Sequence, residues 1–250
     1  MRYAVISDIH ANLEALSVVL EDIRSQNCDA TLCLGDVVGY GANPNECVQI
    51  VFEQCRPILE VGLPIVKGNH DEAVTSGNAR DFNDAAAAAA RWTRETLECE
   101  NAKRIADLPM TVMLDDVFLV HASPFEPERW HYVLSVVSAF EAIDHFPEST
   151  RVCFIGHSHC PSVMCQNERG DVLRVSGSLV SLEDQKRYLI NVGSVGQPRD
   201  SDPRASYAVY DTESKTVEIR RLQYDIPTAQ RKIEDAGLPG SLARRLAFGR

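Results

Sequence analysis

The chain has 250 residues, 25 of them Lys or Arg and 36 Asp or Glu, for a formal net charge of −11; 44% are hydrophobic and 24% charged. A globular protein of that size and mixture buries a sufficient core without disulfides or structural metals. Acidity and scattered basic residues argue against a duplex nucleic-acid surface, and the longest apolar-looking run, Ala85 to Ala90, is too short to span a bilayer.

In chain order, Tyr3 to Ile6, Thr31 to Leu34, Pro64 to Val66 and Val117 to Val120 read as strands buried on both faces. Between the first two, Leu13, Leu16, Leu20 and Ile23 mark one side of a helix, with Asn12 as its cap. A second helix is expected over Asn45 to Cys55. This βαβα order predicts a layered α/β protein with a largely parallel central sheet. From Asp71 to Leu108 the pattern predicts one long helical stretch, driven by six consecutive alanines and ended by Pro109.

After Val120 the chain turns strand-rich. Strands are expected over Val152 to Ile155, Val163 to Cys165, Val172 to Val175, Tyr188 to Val192, Tyr207 to Tyr210 and Val217 to Arg220, with Asn167 to Gly170 as a turn. The tail from Pro227 to Arg250 predicts two short helices separated by Gly237 to Gly240. The simplest organisation is one domain, residues 1–250, with a helical insertion at about 71–109. None of the eight cysteines forms a CxxC pair, and core packing is their expected role. Met1-Arg2 leads into the first strand with no apolar leader, so the cytoplasm is the expected compartment, with no membrane partner.

The histidines carry the chemical signal. Five of the seven, His10, His70, His121, His157 and His159, fall just after an apolar run. Asp8, Asp36 and Asn69 fall in the same kind of place, in Asp8-Ile9-His10, Gly35-Asp36 and Gly68-Asn69-His70-Asp71. Ligands of parallel α/β sheets bind outside the carboxyl ends of the strands, so all eight residues are expected at one sheet edge. Taken singly, each is more often a cap or a satisfied turn residue. Together they would be mutually repulsive and poorly solvated without a cation. Mixed carboxylate, imidazole and amide donors suit Mn, Fe, Zn, Ni or Co better than Mg or Ca. Seven donors exceed one tetrahedral zinc and fit two divalent transition metals about 3.5–4 Å apart.

Asp8-x-His10, Gly35-Asp36, Gly68-Asn69-His70-Asp71, His121 and Gly156-His157-x-His159 resemble, in order, the five motifs of the calcineurin-like metallophosphoesterases. The segment Asn191 to Arg199 resembles a stretch in small prokaryotic members. The resemblance implies a four-layer α/β sandwich, two mixed β-sheets flanked by helices. It also implies that Asp8, His10, Asp36 and His159 hold one metal, manganese being the first candidate. Asp36, Asn69, His121 and His157 would hold the other, with Asp36 bridging. His70 resembles the catalytic, non-ligand histidine, expected to protonate the leaving oxygen while a water shared by the cations attacks phosphorus.

Protein phosphatases of that family, and the symmetrical dinucleoside tetraphosphatases, continue the second motif as GDxxxRG, with the Arg gripping phosphate. Here the run is Gly35-Asp36-Val37-Val38-Gly39-Tyr40-Gly41, which lacks that Arg and the Asp before it. Arg199 is the candidate substitute for phosphate contact. The expected substrate is therefore a small phosphodiester or nucleotide-type ester; a phosphomonoester, phosphoprotein included, is the second reading, and a non-catalytic scaffold the third. A lid, a homo-oligomer surface and plain packing are the open readings of the 71–109 segment. The missing second glycine around Ser158 argues against a serine hydrolase, and a structural zinc site at His157, His159, Cys160 and Cys165 leaves Asp8, Asp36 and Asn69 unexplained.

Overall fold

Alternation along the first strand, β1 (Arg2–Ile6), sends Tyr3 and Val5 to one face and Ala4 and Ile6 to the other, and all four are buried. Period two makes a strand covered on both sides read as a continuous apolar run. The computed structural model describes residues 1–250. Helix α1 (Leu13–Ser25) opens with Asn12, whose Oδ1 accepts the Ala15 N–H at 3.2 Å, and returns the chain to β2 (Ala30–Cys33), parallel to β1. Helix α2 (Pro44–Gln54) follows.

Pro64 to Val66, expected as a strand, makes one parallel bridge, Ile65 to Cys33. Two hydrogen bonds hold it, from the Cys33 N–H to the Pro64 carbonyl at 2.9 Å and from the Val66 N–H to the Cys33 carbonyl at 3.0 Å. The segment turns away at once into a helix, so no ladder develops.

The long helix expected from Asp71 to Leu108 is three: α3 (Asn69–Ser76), α4 (Asp84–Thr96) and α5 (Cys99–Ala106). Gly77, at φ 78°, ends α3. Asn83 Oδ1 accepts the Ala86 N–H at 3.0 Å and starts α4. Asn45 Oδ1, from α2, accepts the Glu98 N–H at 2.8 Å at the break before α5. Alanine propensity thus sets the middle helix, while caps and a distant side chain decide its ends.

The second half comprises β3 (Thr111–Leu114), β4 (Val117–Val120), α6 (Val136–Asp144), β5 (Val152–Ile155), β6 (Ser162–Gln166), β7 (Val172–Val175), β8 (Leu179–Ser181), β9 (Arg187–Asn191), β10 (Ala205–Asp211), β11 (Thr216–Leu222), α7 (Ile226–Asp235) and α8 (Gly240–Leu246). Of these, β3, α6 and β8 were not expected. The strands form two sheets, β2-β1-β10-β11-β8 and β3-β4-β5-β9-β6-β7. Only β1–β2, β4–β5 and β5–β9 pair in parallel. A largely parallel sheet is therefore a correction: hairpin connections such as β10–β11 and β6–β7 force antiparallel pairs.

Four layers result. Ala4 and Ile6 pack under α1 and α2 through Leu16, Val19, Val48 and Val51. Val5, Leu32, Phe154, Ile190 and Ala208 fill the space between the sheets. Cys153, Ile155 and Leu189, on the far face, meet Ala139, Ala142 and Ile143 of α6. All eight cysteines are free thiols; Cys33, Cys47, Cys55, Cys153 and Cys165 are buried as expected, whereas Cys28 and Cys160 are half-buried and Cys99 is exposed. No helix is long and apolar enough to cross a membrane.

Phe154 is a fully buried ring between the two sheets. Phe154→Ala should cost about 3–5 kcal/mol, read as a lower urea midpoint at unchanged slope; an unmoved midpoint would mean that the inter-sheet layer contributes little to stability.

Candidate metal centre

Strands β1 and β2 of one sheet and β4 and β5 of the other end at a common seam, and the residue types singled out in the sequence follow those ends. The loops approach too closely for side chains at two glycines. A Cβ on Gly68 would lie 2.1 Å from Asp36 Oδ1, and one on Gly156 would lie 2.0 Å from Ser7 Oγ and 2.4 Å from Asp8 Oδ2. The glycines of the Gly-Asn and Gly-His motifs are thus the space the carboxylates occupy.

Each carboxylate has one oxygen held by the protein and one aimed inward. Asp8 Oδ2 accepts from Ser7 Oγ at 2.6 Å and from the His157 N–H at 3.0 Å, while Oδ1 is buried without a hydrogen-bond donor. Asp36 Oδ1 accepts the His70 N–H at 2.7 Å, and its Oδ2 lies 3.6 Å from His10 Nε2 and 3.4 Å from His121 Nε2.

Three imidazoles are fixed from behind. The Nδ1–H of His10 donates to the Val38 carbonyl at 3.1 Å, that of His121 to Leu34 at 2.7 Å and that of His159 to Gln197 at 2.5 Å. A carbonyl only accepts, so each ring turns its Nε2 edge into the seam. His10 Nε2 and His159 Nε2 face each other at 3.1 Å, and Asp8 Oδ1 is 3.1 Å from the latter. On the other side, Asn69 Oδ1 lies 3.1 Å from His121 Nε2 and 2.9 Å from His157 Nδ1. The structure therefore brings all seven expected residues to the seam: Asp8 Oδ1 beside His159, Asp36 Oδ2 beside His10 and His121, and Asn69 Oδ1 beside His121 and His157. Converging ring nitrogens and carboxylate oxygens, one of them without a donor, fit bound cations and are poorly solvated without them.

The charge balance agrees. Burial pushes Asp36 upward, but His121 and His70 outweigh it and hold its carboxyl well below the usual range. Burial pushes His121 down, yet the Asp36 carboxylate raises it to about 9. Burial, followed by neighbouring His121, lowers His157 to about 3. A proton on His121 thus stands in for positive charge. The backbone is strained at the same places: Asp8, His10, Asp36, His157 and His159 have φ of 53°, 50°, 51°, 62° and 58°. Left-handed conformations cost L-residues roughly 1–2 kcal/mol each.

His70 is buried beside the donors, and its Nδ1 has no partner. By proximity alone it joins His10 and Asp36, with donor atoms within 4.8 Å of one another. No carboxylate orients it. Instead Tyr40, Phe82 and His10 pack round the ring at 4.3, 4.5 and 4.9 Å between centroids. Burial lowers it to about 4. Its neighbour Asp71 serves the fold, accepting the Val38 N–H at 3.2 Å and the Gly68 N–H at 3.1 Å, and is pushed up to about 7 by burial and then by Asp36.

Arg199 does reach the cleft. Its Nη2 donates to Gln197 Oε1 at 2.8 Å and lies 3.2 Å from Tyr40 Oη. The cleft above the donors holds ≈ 290 Å³ and is rimmed by Tyr40, Phe82, Trp130 and Tyr132; the Tyr132 ring stacks on His157 at 4.1 Å. Those four aromatics and Gln197 were missed. Tyr40 and Gln197 sit inside segments already noted and were within reach, whereas Phe82, Trp130 and Tyr132 follow no spacing rule. Phe82, Asn83 and Ala86 make the 71–109 segment one wall of the cleft.

Metal uptake should displace the His121 proton, so apparent Mn affinity should rise with pH until about 9, with proton release in calorimetry run in two buffers. Asp36→Asn should weaken binding by at least the roughly 10–100-fold lost when a ligand's outer partner is changed; a pH-independent affinity would mean that no proton leaves His121, and tight binding by the variant would remove Asp36 from the ligand set.

Residues 1–215 match the calcineurin-like phosphoesterase superfamily domain. An uncharacterised protein of Methanocaldococcus jannaschii is 41% identical over 252 residues, covering 99% of this chain and 98% of that protein. The crystal structure of a metallophosphoesterase from Sphaerobacter thermophilus is 38% identical, with a TM-score of 0.87 and coverage of 100% of this chain and 99% of that one. A hypothetical protein from Pyrococcus horikoshii shares the fold at 18% identity, TM-score 0.81, covering 100% of this chain and 98% of its own. By sequence match, two-sheet architecture and donor placement, this chain belongs to the calcineurin-like phosphoesterase superfamily.

Proposed function

We propose that this protein hydrolyses a small phosphodiester or nucleotide-type ester with the help of two divalent transition-metal ions. Asp8, His10, His159 and Asp36 would hold one ion, and Asp36, Asn69, His121 and His157 the other. When bound, the ions supply an acidified water and neutralise charge on the phosphoryl oxygens. Mn leads the candidates, with Fe, Zn, Ni and Co acceptable to the same donors.

The observation that carries the diester reading is the rim. Four aromatic rings face the cleft, and one guanidinium, Arg199, is held in place there by Gln197. The other rim cation, Arg129, is exposed and lies 3.4 Å from Glu126. A monoester dianion calls for several fixed cations, whereas a diester carries one charge and an organic group on each side of phosphorus.

Arg199 contacts a phosphoryl oxygen, and the rings exclude water and seat the organic groups. His70 donates the proton to the leaving oxygen. Burial holds His70 at about 4, neutral at pH 7, in the free site. An anionic phosphoryl group alongside opposes that shift, so protonation is coupled to substrate binding.

Metal-stripped protein given Mn should hydrolyse bis(p-nitrophenyl) phosphate in preference to p-nitrophenyl phosphate. Monoester preference would move the assignment to a phosphatase, and no turnover with metals bound would favour a scaffold. His70→Asn should keep both metals and lose roughly 10²–10⁴-fold in turnover of esters with alkoxide leaving groups, with a smaller loss for nitrophenolate. Full alkoxide turnover in the variant would remove His70 from the proton step. Arg199→Ala should raise KM about tenfold or more; an unchanged KM would place the phosphate contact elsewhere.

A further inference from the structure

The cleft does not end at the donor atoms. A groove of ≈ 760 Å³ continues from it between α3 and the turn at residues 128–131, and Asn69, Asp81, Phe82, Arg129 and Trp130 line both spaces. Two rings flank the passage. Phe82 packs 4.5 Å from His70, and Trp130 lies edge-on at 5.8 Å from His121. Trp130 is held at φ 57°, a conformation uncommon for a bulky side chain.

The position of Phe82 gives the groove a direction. His70 is the proton donor of the proposed reaction, so the space beyond Phe82 lies on the side of the leaving oxygen. The charges of the groove restrict what enters. Lys67 Nζ is 3.2 Å from Glu72 and donates to the Ala106 carbonyl at 2.9 Å. Arg129 is already beside Glu126. Asp81 and Glu128 add negative charge to the walls. A second phosphate would find no free cation there, whereas a neutral planar group would find two rings and polar edges.

We propose that this groove is a leaving-group subsite for a nucleoside, its base stacked against Trp130 and Phe82. The assignment rests on the proposed ester hydrolysis for its direction and deepens it by naming the departing group. Base–aromatic stacking tolerates any base because each has a π-face, so little discrimination among bases is expected.

The test separates binding from turnover. Adenosine, which has no phosphate, is titrated into the Mn-loaded protein by calorimetry, beside inorganic pyrophosphate. Saturable adenosine binding is expected, weakened roughly tenfold or more in Trp130→Leu and in Phe82→Leu. With a dinucleoside monophosphate as substrate, whose hydrolysis breaks one P–O bond and releases a nucleoside and a nucleotide, Trp130→Leu should raise KM by a similar factor. Adenosine binding without diester turnover would keep the subsite and remove the hydrolysis reading. Diester turnover without adenosine binding would do the reverse. Binding unchanged in both folded variants, or pyrophosphate binding that Trp130→Leu abolishes, would overturn the proposal.

Discussion

Two carboxylates that water hardly touches stand close together at the seam between the sheets. Asp8 and Asp36 are 0% and 1% exposed, and their inward oxygens lie within 4.8 Å of each other and of a His121 nitrogen. At an effective dielectric of 20, two such charges repel by about 3–4 kcal/mol. Their surroundings answer that repulsion. Ser7, the His157 N–H and the His70 N–H hold the outer oxygens. Backbone carbonyls hold three imidazoles with Nε2 inward. The seam is shaped for positive charge, and a proton on His121 is the part of it that the protein provides for itself.

The two-sheet architecture is what makes such a seam possible. A single sheet edge would present its loops in a row. Here β1 and β2 deliver Asp8 and Asp36 from one sheet while β4 and β5 deliver His121, His157 and His159 from the other. The cost appears as left-handed backbone at five donor residues. That strain is offset by hydrogen bonds between the loops, such as His10 N–H to the Asp36 carbonyl at 2.9 Å and Gly156 N–H to the His121 carbonyl at 2.8 Å. Packing on both faces of each sheet supplies the rigidity that keeps these loops from relaxing.

Above the donors the chemistry changes character. His70 lacks the acidic partner that would fix a protonated ring, and three aromatic neighbours orient it by packing alone. Arg199 is steadied by Gln197, whose main-chain carbonyl also fixes His159. One residue therefore links the guanidinium of the cleft to a histidine of the seam. Phe82 couples the helices after α3 to the same ring, so that segment takes part in the cleft and does not merely pack on the sandwich.

The amino-acid sequence by itself determined which residues gather at the seam and most strands, because both are written locally. A buried strand is an uninterrupted apolar run, as in Val152 to Ile155, and each donor stands within a few residues of such a run's end. Only tertiary structure decided the rest. Asn45 of α2 splits the alanine-rich stretch before Cys99, a contact spanning 53 positions. Val136 to Asp144 becomes helix α6 where Ala139, Ala142 and Ile143 cover the far face of the second sheet. Which oxygen of Asp8 turns inward depends on the His157 N–H, 149 positions away. Phe82, Trp130 and Tyr132 reach the cleft from segments with no shared spacing. Periodicity records which face a side chain takes, but distances between loops depend on how the layers pack, and no local pattern encodes that.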